Sequence, residues 1–260
     1  MGKVMAVANQ KGGVGKTTTA VNLAASLGAM GKKCLLVDID PQGNATSGFG
    51  VNKKALAHTA YELFAGEATA AQVVVHTPFA QVDLIPASME LAGAEIQLVE
   101  QPHREQLLKN ALAPLRDQYR YVIIDCPPSL GLVTLNGLCA TDTVLVPIQC
   151  EYYALEGLSQ LMATIRQVKR LYNSQIDVEG VLLTMYDGRL KLTYQVVQEV
   201  KKYFPRKVFK TVIPRNVALS EAPSYGSPAY YYEKGAKGSR AYWELAQEIA
   251  KANGDPIEVR

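Results

Sequence analysis

The sequence predicts an α/β fold, a mostly parallel twisted sheet with helices on both faces, and three observations carry that prediction. Short apolar runs alternate with helical patterns along most of the 260 residues. Several runs are continuously apolar, as strands buried on both faces are. Two runs end in carboxylates, at Val37-Asp38-Ile39-Asp40 and Ile123-Ile124-Asp125, and another leads into the turn Lys11-Gly12-Gly13-Val14-Gly15-Lys16-Thr17-Thr18. Ligands of open α/β sheets gather at such carboxyl ends.

The first run, Val4 to Ala8, reads as a buried strand and Thr19 to Leu27 as a helix. Between them Gly12, Gly13 and Gly15 let the backbone wrap closely without Cβ clashes. Strand, glycine turn and helix N-terminus form an anion cradle of inward N–H groups, to which the helix dipole adds positive potential. Lys16 can reach β and γ phosphates and the Thr17 hydroxyl can ligate Mg²⁺, so this is a nucleoside triphosphate site. The usual pattern G-x-x-x-x-G-K-[ST] has glycine where this chain has Gln10, and a second lysine, Lys11, comes immediately after it.

Lys32 to Pro41 reads as the next strand, which places Asp38 and Asp40 beside the phosphates. Pro41-Gln42-Gly43-Asn44 then breaks regularity and reads as a switch-like loop, with Asp38 as an alternative cap for the next segment. Thr59 to Ala65 is a candidate short helix and Val73 to Val75 a strand or buried turn, neither with evident chemistry. Val82 to Ala87 reads as a strand, and Met89 to Val99 and Glu105 to Leu115 as helices punctuated by Pro102. Tyr121 to Ser129 repeats the buried strand ending in a carboxylate, like a Walker B segment, where Asp125 can accept hydrogen bonds from Mg²⁺-bound water. Pro127-Pro128 gives a stiff exit to a second switch loop through Leu132.

Thr143 to Ile148 and Val178 to Met185 read as strands on either side of a long amphipathic helix, Leu155 to Leu171. Val196, Val197, Val200 and Phe204 recur at helical spacing and should face the core, which turns Lys201 and Lys202 to solvent. Ser220 to Gly238 lacks periodicity and reads as a surface loop before a terminal helix, Ser239 to Lys251. No internal repeat or linker divides the chain, so residues 1–260 are expected to form a single ATP-binding domain, and 48% hydrophobic content is enough for its core.

No apolar run approaches the roughly 18 residues of a membrane span, and the N-terminus enters the first strand without a signal-peptide pattern, so the expected location is cytoplasmic. Cys34, Cys126, Cys139 and Cys150 lie in or beside apolar runs and form no C-x-x-C pair; no disulfide is expected. The three histidines stand apart from one another and from the cysteines, which argues against a zinc site and leaves Mg²⁺ brought with nucleotide as the expected metal.

With these residues in hand, K-G-G-V-G-K-T-T resembles the deviant Walker A motif of the ParA/MinD family of ATPases. Asn9 to Thr18, Val37 to Asn44, Ile123 to Ser129 and Val212 to Ser224 resemble Soj-like ParA partition ATPases over almost the full length. The resemblance implies a P-loop NTPase fold and a Mg²⁺-dependent ATPase that uses ATP as a switch. Two ATP-bound monomers would form a sandwich homodimer that coats double-stranded DNA nonspecifically, nucleoid-associated in that state, until a ParB-like DNA-binding partner triggers hydrolysis. It implies that Lys11 acts in trans on the partner copy's nucleotide and that Lys16 is the phosphate lysine. Gly12, Gly13, Val14, Gly15 and Thr18 complete the nucleotide loop, with Thr17 on Mg²⁺. Asp40 would position the attacking water, Asp38 and Asp125 would stand around the metal, and Pro214 and Asn216 match an adenine-contacting loop.

A formal net charge of +3 does not identify a nucleic-acid binder, but between Tyr186 and Arg215 eight basic residues face two acids. Arg189, Lys202, Lys207 and Arg215 are the preferred phosphate contacts there. Many relatives carry an arginine associated with DNA binding where this chain has Ala218. Two other classes share the nucleotide loop. A MinD-like membrane ATPase ends in a basic amphipathic helix, whereas Trp243 to Arg260 carries four acids against two bases. A ligase or kinase of the dethiobiotin-synthetase kind would respond to a small acid acceptor rather than to DNA and a partner.

Overall fold

The computed structural model describes residues 2–151 and 154–255. Its strands are β1 (Lys3–Val7), β2 (Cys34–Asp38), β3 (Val75–His76), β4 (Val82–Ile85), β5 (Tyr121–Asp125), β6 (Thr143–Gln149), β7 (Asp177–Tyr186) and β8 (Val208–Pro214). They form one sheet in the order β3-β4-β2-β5-β1-β6-β7-β8. Every neighbouring pair is parallel except β3 with β4.

The continuous apolar runs are explained by two cores, one on each face, which take alternate residues of the same strand. Val4, Ala6, Leu35, Val37, Val122 and Ile124 face one core, and Met5, Val7, Cys34, Leu36, Tyr121 and Ile123 face the other. The helix Lys16–Ala29 packs on the second face beside the terminal helix Lys237–Ala252, where the hydroxyls of Thr19 and Tyr242 meet at 3.0 Å. That terminal helix buries Tyr242, Leu245, Ala246 and Ile249, so its apolar face is spent inside the fold. Among the described residues no helix is long and apolar enough to cross a membrane. All four cysteines are buried free thiols.

Several local expectations need correction. The segment after Leu130 forms the helix Leu132–Ala140, which carries no periodic polar face because seven of its nine residues are buried. β8 was not legible as a strand, since VFKTVIP is mostly half-buried and does not alternate cleanly. The stretch Ser220 to Gly238 is not an irregular loop: helical turns occupy Val217–Glu221, Ala222–Tyr225 and Ala229–Tyr232, and the terminal helix starts at Lys237. Tertiary anchors shape it, as Ala229 N–H donates to Asn22 Oδ1 at 2.8 Å and Ser239 Oγ to the Ala229 carbonyl at 2.9 Å. Pro114 confines the α-helix expected from Glu105 to Leu115 to Leu107–Leu112, with tighter turns on both sides. The switch-like loop after Pro41 is shorter than expected, because Asn44–Gly48 is helical.

Candidate nucleotide site

β1 sits between β5 and β6, so the chain's order reverses there and a crevice opens at the strands' carboxyl ends. The register sets Val7 opposite Asp125, and Asp38 opposite Asp125, which delivers the glycine turn and two carboxylates to one place. Gly13 and Gly15 adopt φ of 73° and 85°, a left-handed conformation that a side chain disfavours. A Cβ added to Gly12 or Gly13 would meet nothing within 4 Å, so the space before the turn is open to a ligand.

The turn is held from behind. Asn9 Nδ2 donates to the Pro147 carbonyl at 2.7 Å, and the Lys11 N–H donates to Asn9 Oδ1 at 3.0 Å. The Thr184 hydroxyl lies 2.8 Å from the Val14 carbonyl and 3.0 Å from that of Ile148, tying the turn to β6 and β7. Thr184 had no signal in the sequence beyond its place near the carboxyl end of a strand.

Lys16 is only 7% exposed, and its ammonium donates to the Lys11 carbonyl at 3.1 Å. Burial lowers its pKa, while Asp125, Cys126 and Asp40 pull it back up. Lys11 points elsewhere, to Glu151 Oε2 at 2.8 Å, in a pair whose side chains are 32% and 47% exposed. A pair so exposed contributes no more than about 1 kcal/mol, so a phosphate can compete for Lys11.

The three aspartates differ. Asp38 is fully buried and its oxygens are engaged: Oδ2 accepts from the Thr46 N–H at 2.8 Å and hydroxyl at 2.7 Å, and Oδ1 from the Asp40 N–H at 3.2 Å. Asp40, 8% exposed, accepts the Gln42 N–H on Oδ1 at 2.9 Å. Both oxygens of Asp125 are buried with no hydrogen-bond partner. Burial pushes Asp38 up to about 6, against the Thr46 hydrogen bonds, and raises Asp125 well above the carboxylate range with the Asp38 charge adding to it. Thr17 lies near enough to Asp125 to oppose that rise without being aligned for a good hydrogen bond. Two orphaned carboxylate oxygens beside a threonine hydroxyl and a phosphate loop fit a hard divalent cation such as Mg²⁺.

These raised values mean that ionisation in the fold costs stability. The cost is absent below the unfolded value of about 4, grows with pH, and for Asp38 is complete once pH exceeds about 6. Asp125→Asn therefore raises the melting temperature of the ligand-free protein near pH 8 and leaves it almost unchanged near pH 4. The same variant loses the Mg²⁺ dependence of ATP binding. Thermal denaturation at both pH values, with and without Mg²⁺ and ATP, checks the prediction; a lower melting temperature near pH 8 would overturn it.

On the flank of the turn a cavity of about 410 Å³ is lined by Gly15, Thr18, Met185, Pro214, Asn216 and Tyr242 among others. Pro214 and Asn216 thus stand beside the phosphate turn, and Asn216 Oδ1 is buried without a partner. Met185 at the rim is a non-glycine residue with φ of 49°.

The expected DNA contacts do not form one free cationic face. Arg189 makes two hydrogen bonds to Asp187, at 2.6 and 2.9 Å, and these hold the Asp187 carboxyl down to about 2. Lys202 pairs with Glu199, and Lys207 with Asp177 at 3.1 Å. Arg215 is exposed and borders the 410 Å³ cavity. Ala218 is buried at 3%.

A glycine turn between β1 and a helix, with carboxylates at the end of the adjacent strand β5 and of β2 beyond it, defines a P-loop nucleoside triphosphatase. Residues 2–178 match a family described as an AAA domain. The chain is 56% identical over 254 residues to the sporulation initiation inhibitor protein Soj of Bacillus subtilis, covering 98% of this chain and 100% of that one. It is 50% identical over 254 residues to the chromosome-partitioning ATPase Soj of Treponema pallidum, covering 98% and 99%. Among solved structures, the cobyrinic acid a,c-diamide synthase of Mycobacterium smegmatis with bound ADP and magnesium aligns over 100% of both chains, at 38% identity and a TM-score of 0.85. The chain belongs to the Soj/ParA family of chromosome-partitioning ATPases. It is an ATPase, and the Mycobacterium smegmatis structures it resembles hold ADP or an ATP analogue with magnesium.

Proposed function

We propose that this ATPase is a DNA-partition switch. Its ATP-bound sandwich homodimer binds double-stranded DNA without sequence preference, and a ParB-like DNA-binding partner stimulates hydrolysis and release. Residues 1–260 act as one ATPase domain, consistent with the single sheet, in the cytoplasm and on the nucleoid when ATP is bound. The observation that carries this reading is the division between the two lysines: Lys16 lies inside the turn, whereas Lys11 stands at its mouth in one exposed ion pair. Lys11 is thus the spare cation for a second copy's phosphates. A ligase acting on a small acid has no use for it there.

In this reading Lys16 and the backbone N–H groups from Gly12 to Thr18 hold the β and γ phosphates. Thr17 and Asp125 would hold Mg²⁺, with Asp38 bracing the strand end behind them through Thr46. A cation held by Thr17 and Asp125 would supply neutralising charge to the phosphate oxygens. Asp40 orients the attacking water, and Pro214 and Asn216 border the base.

Lys11→Ala keeps most of its ATP affinity and loses ATP-dependent dimerisation. Sedimentation with a slowly hydrolysed ATP analogue checks this, and normal dimers would refute the trans role. DNA contact by Arg189, Lys202, Lys207 and Arg215 is supported by the local excess of basic residues, and solvent-exposed pairs yield readily to phosphate. About six phosphate contacts per dimer give a slope of log K against log salt near −5. In Arg189→Ala that slope becomes shallower by about one unit with sequence preference unchanged. Salt-insensitive binding, or equal binding by monomer and dimer, would defeat the DNA arm.

A further inference from the structure

Trp243 is the chain's single tryptophan. It stands half-buried on the terminal helix with its indole stacked on Tyr230, ring centroids 5.0 Å apart and planes 13° from parallel. Two adjoining cavities of about 470 and 530 Å³ meet at this pair and share Tyr230, Lys234, Trp243 and Gln247 in their walls. Both have the size of small-molecule sites. The first is completed by Gly28, Gly31 and Ala80, whose lack of bulk leaves room beside the indole, and by Gln81. Gln81 holds φ of 58°, a left-handed conformation that costs a non-glycine residue energy and recurs at ligand clamps. In the second cavity Arg240 joins Lys234, and Glu244 is the acid in the wall. Among the described residues neither cation has a carboxylate partner, and the Lys234 ammonium lies 5.1 Å from the Tyr230 ring centroid.

An aromatic face, side-chain amides and unpaired cations suit a heteroaromatic ring that carries an anionic arm. The ring stacks on the indole, the amides of Gln81 and Gln247 offer donors and acceptors to its edge, and the cations take its charge. A purely aliphatic ligand would leave the amides and cations without partners. The stacked pair is also the outer end of a chain of rings. Tyr230 meets Tyr231 edge-on at 5.3 Å, Tyr231 meets Phe79 at 4.8 Å, and Phe79 meets Phe49 at 5.5 Å. The Tyr231 hydroxyl accepts the Ala80 N–H at 3.2 Å, in the wall of the first cavity. Phe49 is buried and closes the helix Asn44–Gly48, whose Thr46 holds Asp38. Close-packed rings do not shift singly, so a ligand that moves Tyr230 has a route to that helix.

We propose that the cleft at Trp243 binds a purine nucleoside monophosphate, and that the chain of rings carries its occupancy to the helix Asn44–Gly48 and so to the ATP site. The binding stands on the cleft alone, while the coupling rests on the nucleotide site as proposed above. A purine offers a large flat face to the indole and polar edge atoms to the two glutamines, and a single phosphate matches Lys234 and Arg240.

The probe is GMP, which lacks the β and γ phosphates that the Lys16 turn would hold. It is titrated into the full chain and followed by calorimetry and by Trp243 fluorescence, which localises the ligand because the chain has no other tryptophan. Saturable binding with quenching is expected. Guanosine, without the phosphate, and ribose 5-phosphate, without the base, each bind about tenfold or more weakly, the factor one charge-assisted hydrogen bond or one stacked base supplies. Lys234→Ala weakens GMP by about fivefold. Because Lys234 is exposed, that variant keeps its fold, which circular dichroism verifies. With Mg²⁺ and a slowly hydrolysed ATP analogue bound, the GMP affinity changes by about fivefold or more, the lower end of ordinary coupling, and Phe79→Leu removes that change while keeping GMP affinity without the analogue. Absence of saturable quenching, guanosine or ribose 5-phosphate binding as tightly as GMP, undiminished binding by Lys234→Ala, or strict competition between GMP and the analogue would each overturn the site. A single-stranded oligonucleotide that quenches Trp243 where GMP does not would overturn the mononucleotide ligand. An analogue effect that is missing, or that persists in Phe79→Leu, would overturn the coupling. Failure of the native chain to bind the ATP analogue would sink the functional reading and the coupling with it, and leave the GMP site standing.

Discussion

Lys16→Ala is expected to bind ATP about tenfold or more weakly than the native chain and to show no measurable turnover. A charge-assisted hydrogen bond to phosphate contributes roughly 1.5–3 kcal/mol, and a buried lysine in the first turn of a helix makes more than one. The structure shows why no neighbour takes over. The Lys16 ammonium is already desolvated and held at the Lys11 carbonyl, with Asp125 and Asp40 close enough to raise its pKa. Lys11 faces Glu151 instead, outside the turn. Removing Lys16 also takes away a cation that lowers the pKa of Asp125, so protonation of that carboxyl rises further in the variant. Titration with a fluorescent ATP analogue measures the loss, and an affinity equal to that of the native chain would remove Lys16 from the phosphate role.

The parts of the site that could be read in the sequence are those whose chemistry is local. Gly13 and Gly15 announce left-handed backbone, Lys16 and Thr17 come at fixed offsets, and the buried strands state their own ends with Asp38 and Asp125. The sheet was legible for the same reason, since strands buried on both faces leave long apolar runs. What stayed hidden depends on chain segments far apart in sequence. Thr184 reaches the turn from 170 residues away, Glu151 pairs with Lys11 across 140, and Glu95 meets Val133 across 38. No spacing rule connects such pairs. The helix Leu132–Ala140 was missed for a different reason: with nearly all of it buried, periodicity has no polar face to display.

Asp40→Ala is expected to separate binding from chemistry, keeping ATP affinity and ATP-dependent dimerisation while slowing hydrolysis by about a hundredfold or more, the scale of a misplaced reacting group. Phosphoryl transfer requires an in-line nucleophile, and positioning is most of what the protein supplies. Two carboxylates at the end of β2 are candidates to hold that water, and the hydrogen bonds choose between them. Asp38 is fully buried and spends its oxygens on Thr46 and the Asp40 N–H. Asp40 is fixed at Oδ1 by the Gln42 N–H, and its carbonyl accepts from the Gly43 N–H at 2.8 Å, so the turn presents Oδ2 in a defined direction. These contacts favour Asp40 over Asp38 for the water-orienting role proposed above. Asp38→Ala, by contrast, releases Thr46 and loosens the segment Asn44–Gly48, so it lowers the melting temperature as well as turnover. Single-turnover hydrolysis measured beside ATP binding and thermal stability distinguishes the two. Normal hydrolysis by Asp40→Ala, or loss of its ATP binding in proportion to its rate, would move the water-holding role off Asp40.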